Sequence, residues 1–105
     1  MTARERLPDR RPHEVIAVRH GGFDYTAGVG RFDDGRLGEI FLTAAKTGTL
    51  IDSWAHDAAI VVSIALQHGA APETIRHALG REHDGGPATA IAAVLDILAN
   101  EESTV

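Results

Sequence analysis

The chain has 105 residues, which suffices for one hydrophobic core and therefore predicts a single domain. It contains no cysteine, which excludes disulfides, thiolate metal sites and thiol or thiyl-radical chemistry by this chain alone. The formal net charge is −5 although the first eleven residues are rich in arginine, and so acidic a body argues against nucleic acid as a partner.

The sequence has no run of about 18 continuous apolar residues, the least that a membrane-spanning helix needs. Its N-terminus shows no hydrophobic signal-peptide region. We therefore expect a cytoplasmic protein that binds neither membranes nor nucleic acid. Residues 1–12 hold two prolines and alternating charges without a hydrophobic period. This pattern predicts a flexible arginine-rich arm, either solvated or docked on an acidic surface of a partner or of a second copy.

Three β-strands are predicted next, over residues 13–20, 23–32 and 37–44. Gly21-Gly22 suits the tight turn of a β-hairpin, because glycine reaches positive φ at little steric cost. Asp33-Asp34-Gly35-Arg36 forms a second turn between the later two strands. Strands connected in this way form a three-stranded antiparallel meander.

The second predicted strand alternates between the two faces of this sheet. Small residues on its outer face, Gly28 and Gly30, indicate a bulge or a close approach of the backbone. The residues that we expect to face the core are Phe23, Tyr25, Ala27 and Val29.

The longest apolar pattern follows the strands and predicts a helix over residues 50–68, ended by Gly69. Thr49, Asp52 and Ser53 are all eligible to cap its N-terminus. Its apolar stripe is broad, which is typical of a central helix that is covered on more than one side and here packs on the sheet. The stripe is built on Trp54, Ala58, Val61 and Ala65, and Leu50, Ile51, Ile60, Ile64 and Leu66 widen it.

Two further helices are predicted over residues 72–79 and 87–100, each opened by a proline, with residues 101–105 fraying. Residues 13–100 then form one domain in which three strands precede three helices. Such segregation of strands from helices predicts an α+β fold.

Four segments of the chain together resemble the TSCPD domain family. The resemblance spans roughly residues 13–98 in order and spacing. It rests on Arg31–Leu42 (RFDDGRLGEIFL), Lys46-x-Gly48, Ile60–Gly69 (IVVSIALQHG) and Pro72-Glu73.

Members of this family occur as a C-terminal, non-catalytic domain of adenosylcobalamin-dependent ribonucleotide reductases, after the catalytic barrel, and as small stand-alone proteins. The resemblance implies the fold and an association with ribonucleotide reduction. It implies neither a cofactor for this chain nor catalysis by this chain alone, since nothing here corresponds to the barrel cysteines or the cobalamin site. Some members carry nearby cysteines that are proposed to bind metal, and this chain has none.

The loop Lys46-Thr47-Gly48-Thr49 is the best candidate for a binding site. A glycine-containing turn at a helix start offers backbone N–H groups, and the helix dipole favours an anion there. Lys46, the only lysine, would add a charge, and the two threonines would add hydroxyl groups. The loop is therefore either an ordinary strand-to-helix connection or a site for a phosphate, nucleotide or carboxylate.

The other polar residues are weaker candidates for a catalytic or metal site. Adjacent helix residues such as His56 and Asp57 point about 100° apart, so the two do not form a catalytic pair. His68, His77 and His83 lack the spacing of a metal site, and we expect no metal and no cofactor. Trp54 is interpreted as a core or interface anchor.

Two functions follow from the sequence. The first is a non-catalytic interaction or regulatory module that associates with itself, since a small domain with open sheet edges gains stability by pairing an edge or a helix face with a second copy. A ribonucleotide reductase or another protein is a further candidate partner. The alternative is a small-anion or nucleotide-phosphate binder that uses residues Lys46 to Thr49. We find no set of acid, base and nucleophile that would make the chain an enzyme on its own.

Overall fold

The computed structural model describes residues 3–103, in which three strands precede three helices. This arrangement confirms the α+β prediction, with the first helix packed on the sheet. None of the helices in this described part has the length and apolar character that crossing a bilayer requires. The elements are β1 (His13–His20), β2 (Phe23–Arg31), β3 (Leu37–Ala44), α1 (Leu50–Gln67), α2 (Pro72–Ala78) and α3 (Ala90–Ser103).

The sheet is the predicted antiparallel meander, with β2 between β1 and β3. Its core face follows the predicted alternation at Tyr25, Ala27 and Val29, which are buried. Phe23, the first residue of β2, was predicted to face the core but is exposed. The pairing of β2 with β3 shifts register between Gly30 and Arg31, which confirms an irregularity where the small residues predicted one.

Helix α3 begins at Ala90, three residues later than the predicted start at Pro87. Pro87 pairs instead with Arg81 in an isolated antiparallel bridge, and its carbonyl oxygen accepts a hydrogen bond from Nε2 of His20 at 2.8 Å. The Thr89 side chain accepts from the N–H of Ala92 at 3.3 Å and so caps the helix. The helix continues to Ser103, three residues past the predicted end at residue 100, and residues 104–105 lie outside the described part. The fraying of residues 101–105 stays a prediction.

Helix α1 is rotated from its predicted orientation. Its buried residues are Ala55, Ala59, Val62, Leu66 and Gln67, whereas Trp54 and Val61 of the predicted stripe are exposed. Helix α1 contacts both β3 and α3, as predicted for a helix covered on more than one side, but large apolar side chains remain exposed on its outer side. Alanines at the contact let the helix backbone approach the sheet closely, which the indole of Trp54 in the same place would prevent.

The most buried helix is α3, not α1. Every residue from Ala90 to Leu95 is buried, as is Leu98, and the helix contacts β1, α1 and α2. Its inward side chains include the predicted Ile91, Val94, Leu95 and Leu98. The core therefore lies between one face of the sheet and the helix pair α1 and α3.

Residues 3–12 contain no helix or strand but contact the body at several points. The Arg11 guanidinium forms a two-bond ion pair with Glu39, at 2.7 and 3.2 Å. Arg4 Nε donates to Oε1 of Gln67 at 2.6 Å, and Glu5 accepts two bonds from Arg36 at 3.0 and 2.8 Å. The flexibility of the arm stays a prediction, but the surface that these contacts engage belongs to this chain's own domain.

Candidate functional site

The backbone of the loop before α1 binds the side-chain carboxylate of Asp52. Thr49 is the N-cap: its side chain accepts from the N–H of Asp52 at 3.2 Å and donates to the carbonyl oxygen of Lys46 at 3.0 Å. The Asp52 carboxylate accepts from the N–H of Gly48 at 3.3 Å and from that of Ala44 at 2.9 Å. An external anion at Lys46, Thr47, Gly48 and Thr49 would compete with this internal one, and the predicted anion site stays untested.

Three polar side chains of α1 bind the outer edge of β3. Asp52 accepts from Ala44, as above. Ser63 Oγ accepts from the N–H of Ile40 at 2.8 Å and lies 3.0 Å from the carbonyl oxygen of the same residue. Gln67 Nε2 donates to the carbonyl oxygen of Gly38 at 3.0 Å. The helix therefore covers the strand edge that would otherwise pair with a second copy.

The outer face of α1 carries large apolar side chains that the described part of the chain leaves exposed. Trp54 is 64% exposed and Val61 is 66% exposed, so Trp54 does not lie in the core and the interface interpretation remains as a prediction. We define the outer face by its five large apolar residues, which are Leu50, Trp54, Ile60, Val61 and Ile64.

A cleft of about 390 Å³ lies beside this face, between the first half of α1 and the start of α3. Ile51, Trp54 and Ala58 line it from α1, and residues 88–91 line it from the other side. Its size falls in the range of small-molecule sites, which is roughly 300–1,000 Å³. Most of the lining side chains are apolar, and none of them is acidic.

The remaining sequence candidates lie apart from the cleft. His56 and Asp57 are exposed on α1, and no hydrogen bond joins their side chains. His77 pairs with Glu73 on α2 at 3.3 Å. Over residues 3–103 no group of three histidine or carboxylate side chains is arranged to hold a metal ion.

Sequence reasoning missed the roles of Glu39, Ser63 and Gln67. Glu39 and Gln67 are the buried polar residues of the described chain, and both lie in the segments that carry the family resemblance. The sequence did contain a sign of these contacts, because the spacings of Asp52, Ser63 and Gln67 place the three side chains along one side of α1. Their partners on β3 could be found only in the folded chain.

Comparison with known proteins identifies the family. The TSCPD domain family matches residues 2–101, nearly the whole chain. Two similar proteins are vitamin B12-dependent ribonucleotide reductases from Bradyrhizobium diazoefficiens, 42% identical over 66% of this chain, and from Rhodopirellula baltica, 40% identical over 69%. A third, from Streptantibioticus cattleyicolor, is 34% identical over 68%.

The matched region makes up only 6%, 7% and 12% of these three relatives. No solved structure matches the chain. Its three-stranded meander, covered on one face by helices, defines a small α+β domain. With the family match over residues 2–101, the chain belongs to the TSCPD domain family.

Proposed function

We propose that this chain is a non-catalytic, cytoplasmic interaction module of the TSCPD family that associates with a second copy through the outer face of α1. The observation that carries the proposal is the row of large apolar side chains on that face. Contiguous exposed apolar surface of this kind marks an interaction site more often than a solvated face.

The spacing of the row supports helix-to-helix pairing. Leu50, Trp54, Val61 and Ile64 follow one another at steps of four, seven and three residues, which is the period of a coiled-coil seam with Asp57 at the position between Trp54 and Val61. Two copies related by a two-fold axis would each contribute the same face. Because α1 covers the edge of β3, the helix face is more accessible for association than that strand edge.

The relatives support a non-catalytic role. They are vitamin B12-dependent ribonucleotide reductases, and this chain corresponds to 6% to 12% of the length of the three compared above. The chain also has no cysteine with which to perform radical chemistry. A reductase that contacts the same face is the other partner that the comparisons suggest.

Sedimentation equilibrium over a range of protein concentrations tests the proposal. We expect a dimer for the natural sequence, and a Val61→Asp variant whose dimer is weaker by roughly a hundredfold, because each copy would bury an unpaired charge. Val15→Asp is the matched control, since Val15 is 67% exposed on the opposite face of the sheet. A natural chain that stays monomeric at high concentration, or a control that dissociates as Val61→Asp does, would contradict self-association.

A further inference from the structure

The cleft between α1 and α3 is lined by a tyrosine whose hydroxyl group has no hydrogen-bond partner among the described residues. Tyr25 on β2 lines the cleft and is only 7% exposed. Its phenolic oxygen forms no hydrogen bond with any described residue. Every fully enclosed side-chain nitrogen or oxygen among the described residues does have a partner, so this oxygen is not fully enclosed, and the cleft that Tyr25 lines is open space beside the residue.

Two backbone donors at the start of α3 line the same cleft. The N–H of Ala92 is bonded to the Thr89 side chain and that of Ala93 to the Thr89 carbonyl. The N–H groups of Ala90 and Ile91 have no acceptor within residues 3–103, although both residues are more than nine-tenths buried. The first N–H groups of a helix have no acceptor within the helix, and at such an N-terminus they suit a negatively charged oxygen.

The charges around these donors favour an anion. The first turn of α3 has no acidic residue that would complement the helix dipole from within the protein, in contrast to α1, where Asp52 does so. Apart from His20 and Thr89, the rest of the lining is apolar, with Ile51 and Ala58 beside the indole of Trp54. An exposed indole beside a concave apolar surface suits a flat ring.

We propose that this cleft binds a small organic anion with a flat apolar body. The ring lies against Trp54 and Ala58, the anionic group accepts from the N–H groups of Ala90 and Ile91, and the Tyr25 hydroxyl donates a further bond to the ligand. The inference goes beyond the proposed self-association, and it concerns the side of α1 that faces α3. Only Trp54 belongs to both surfaces.

Nuclear magnetic resonance titration with 2-naphthoate, an aromatic carboxylate, tests this site. The chain has one tryptophan, so a single indole N–H signal reports on the cleft. We expect saturable shifts of that signal and of the amides of Ala90 and Ile91. Tyr25→Phe should weaken binding by roughly fivefold to tenfold through the loss of one hydrogen bond, and the neutral 2-naphthamide should bind more weakly than the carboxylate.

Two variants separate this site from the self-association surface. Ala58→Leu fills the cleft and should abolish the saturable shifts, whereas Val61→Asp lies outside the cleft and should leave them unchanged. Shifts that stay linear in ligand, that are confined to the outer face of α1, or that are equal in Tyr25→Phe and the natural chain would overturn the proposal. Because binding is measured in the Val61→Asp background as well, a failure of dimerisation does not decide the result.

Discussion

At the scale of single residues, the polar side chains that the structure buries are the ones with assigned partners. Glu39 is paired with Arg11 from the arm, and the side-chain amide of Gln67 binds both Gly38 of β3 and Arg4 of the arm. A buried polar group is costly unless it is bonded, and here each bond connects segments far apart in sequence. The Tyr25 hydroxyl also has no partner among the described residues, but it is not fully enclosed, and Tyr25 lines the cleft beside α1.

One residue-scale prediction concerns the end of α1. Gly69 has φ of +97°, and the N–H groups of Gly69 and Ala70 donate to the carbonyl oxygens of Leu66 and Ala65, which is a Schellman motif. Gly69→Ala should lower the free energy of unfolding by about 1 kcal/mol or more, since a Cβ is disfavoured at this φ. Urea denaturation of the variant and the natural chain measures this difference in the free energy of unfolding.

Gly80→Ala is the control for this substitution. The φ of Gly80 is not positive, and an added Cβ would make only an ordinary contact with Ala88. We expect a change within about 0.5 kcal/mol. Equal losses in the two variants would show that the conformation of Gly69 is not what stabilises the helix end.

At the scale of elements, α1 presents different residues on its opposite sides. Its inner side places alanines on the sheet and polar groups on the edge of β3, and its outer side presents the apolar row. A helix that is apolar over most of its circumference can be placed in more than one rotation. The rotation seen here is the one in which Asp52, Ser63 and Gln67 meet unpaired backbone groups of β3.

The element-scale prediction tests this cover of the strand edge. Ser63→Ala removes the acceptor of the Ile40 N–H and leaves that part-buried group unpaired. We expect the free energy of unfolding to fall by about 1 to 3 kcal/mol. Ser53→Ala, the same change on the exposed side of the same helix, should alter stability by less than about 0.5 kcal/mol. Thermal denaturation measures the stability of the two variants. If Ser63→Ala were as stable as Ser53→Ala, the hydrogen bond of Ser63 to the edge of β3 would not stabilise the fold.

At the scale of the whole molecule, ion pairs connect α2 and the loop after it to α3. Arg81 donates two bonds to the Asp96 carboxylate at 2.6 and 2.8 Å, and Arg76 of α2 donates a third at 3.3 Å. These bonds, led by those from Arg81, hold the pKa of Asp96 below the ordinary aspartate value. Arg76 lowers the pKa of Glu73 in the same way.

The whole-molecule prediction is a loss of stability in acid. Because the pKa of Asp96 is lower in the folded chain than in the unfolded one, its contribution is complete above the unfolded value of about 3.9 and is lost as the pH falls through the folded value. The melting temperature should therefore fall below a pH of about 4. In Asp96→Asn that contribution is already absent at neutral pH, so the further fall in acid should be smaller.

Asp33→Asn is the control, because Asp33 is exposed in a turn and forms no ion pair with another described residue. Its melting temperature should follow the pH dependence of the natural chain. Parallel curves for Asp96→Asn and the natural chain in differential scanning calorimetry down to strong acid would show that Asp96 does not contribute in this way.

The sequence by itself determined the order, type and approximate bounds of the elements. The alternation at Tyr25, Ala27 and Val29, the glycine hairpin and the helical period after Thr49 are local patterns, and local backbone preferences suffice to form them. The segments around Gly38 and Gln67 also identified the family, which the match over residues 2–101 confirms.

Only the tertiary structure decided which side of α1 faces the sheet, and hence that Trp54 is exposed. It also decided that the Asp52 carboxylate binds the loop at Gly48 and that Tyr25 and the start of α3 share a cleft. The physical reason is that periodicity shows how apolar residues are grouped around a helix, whereas the choice among apolar faces depends on neighbours distant in sequence. Here those neighbours are the open edge of β3 and the N-terminus of α3.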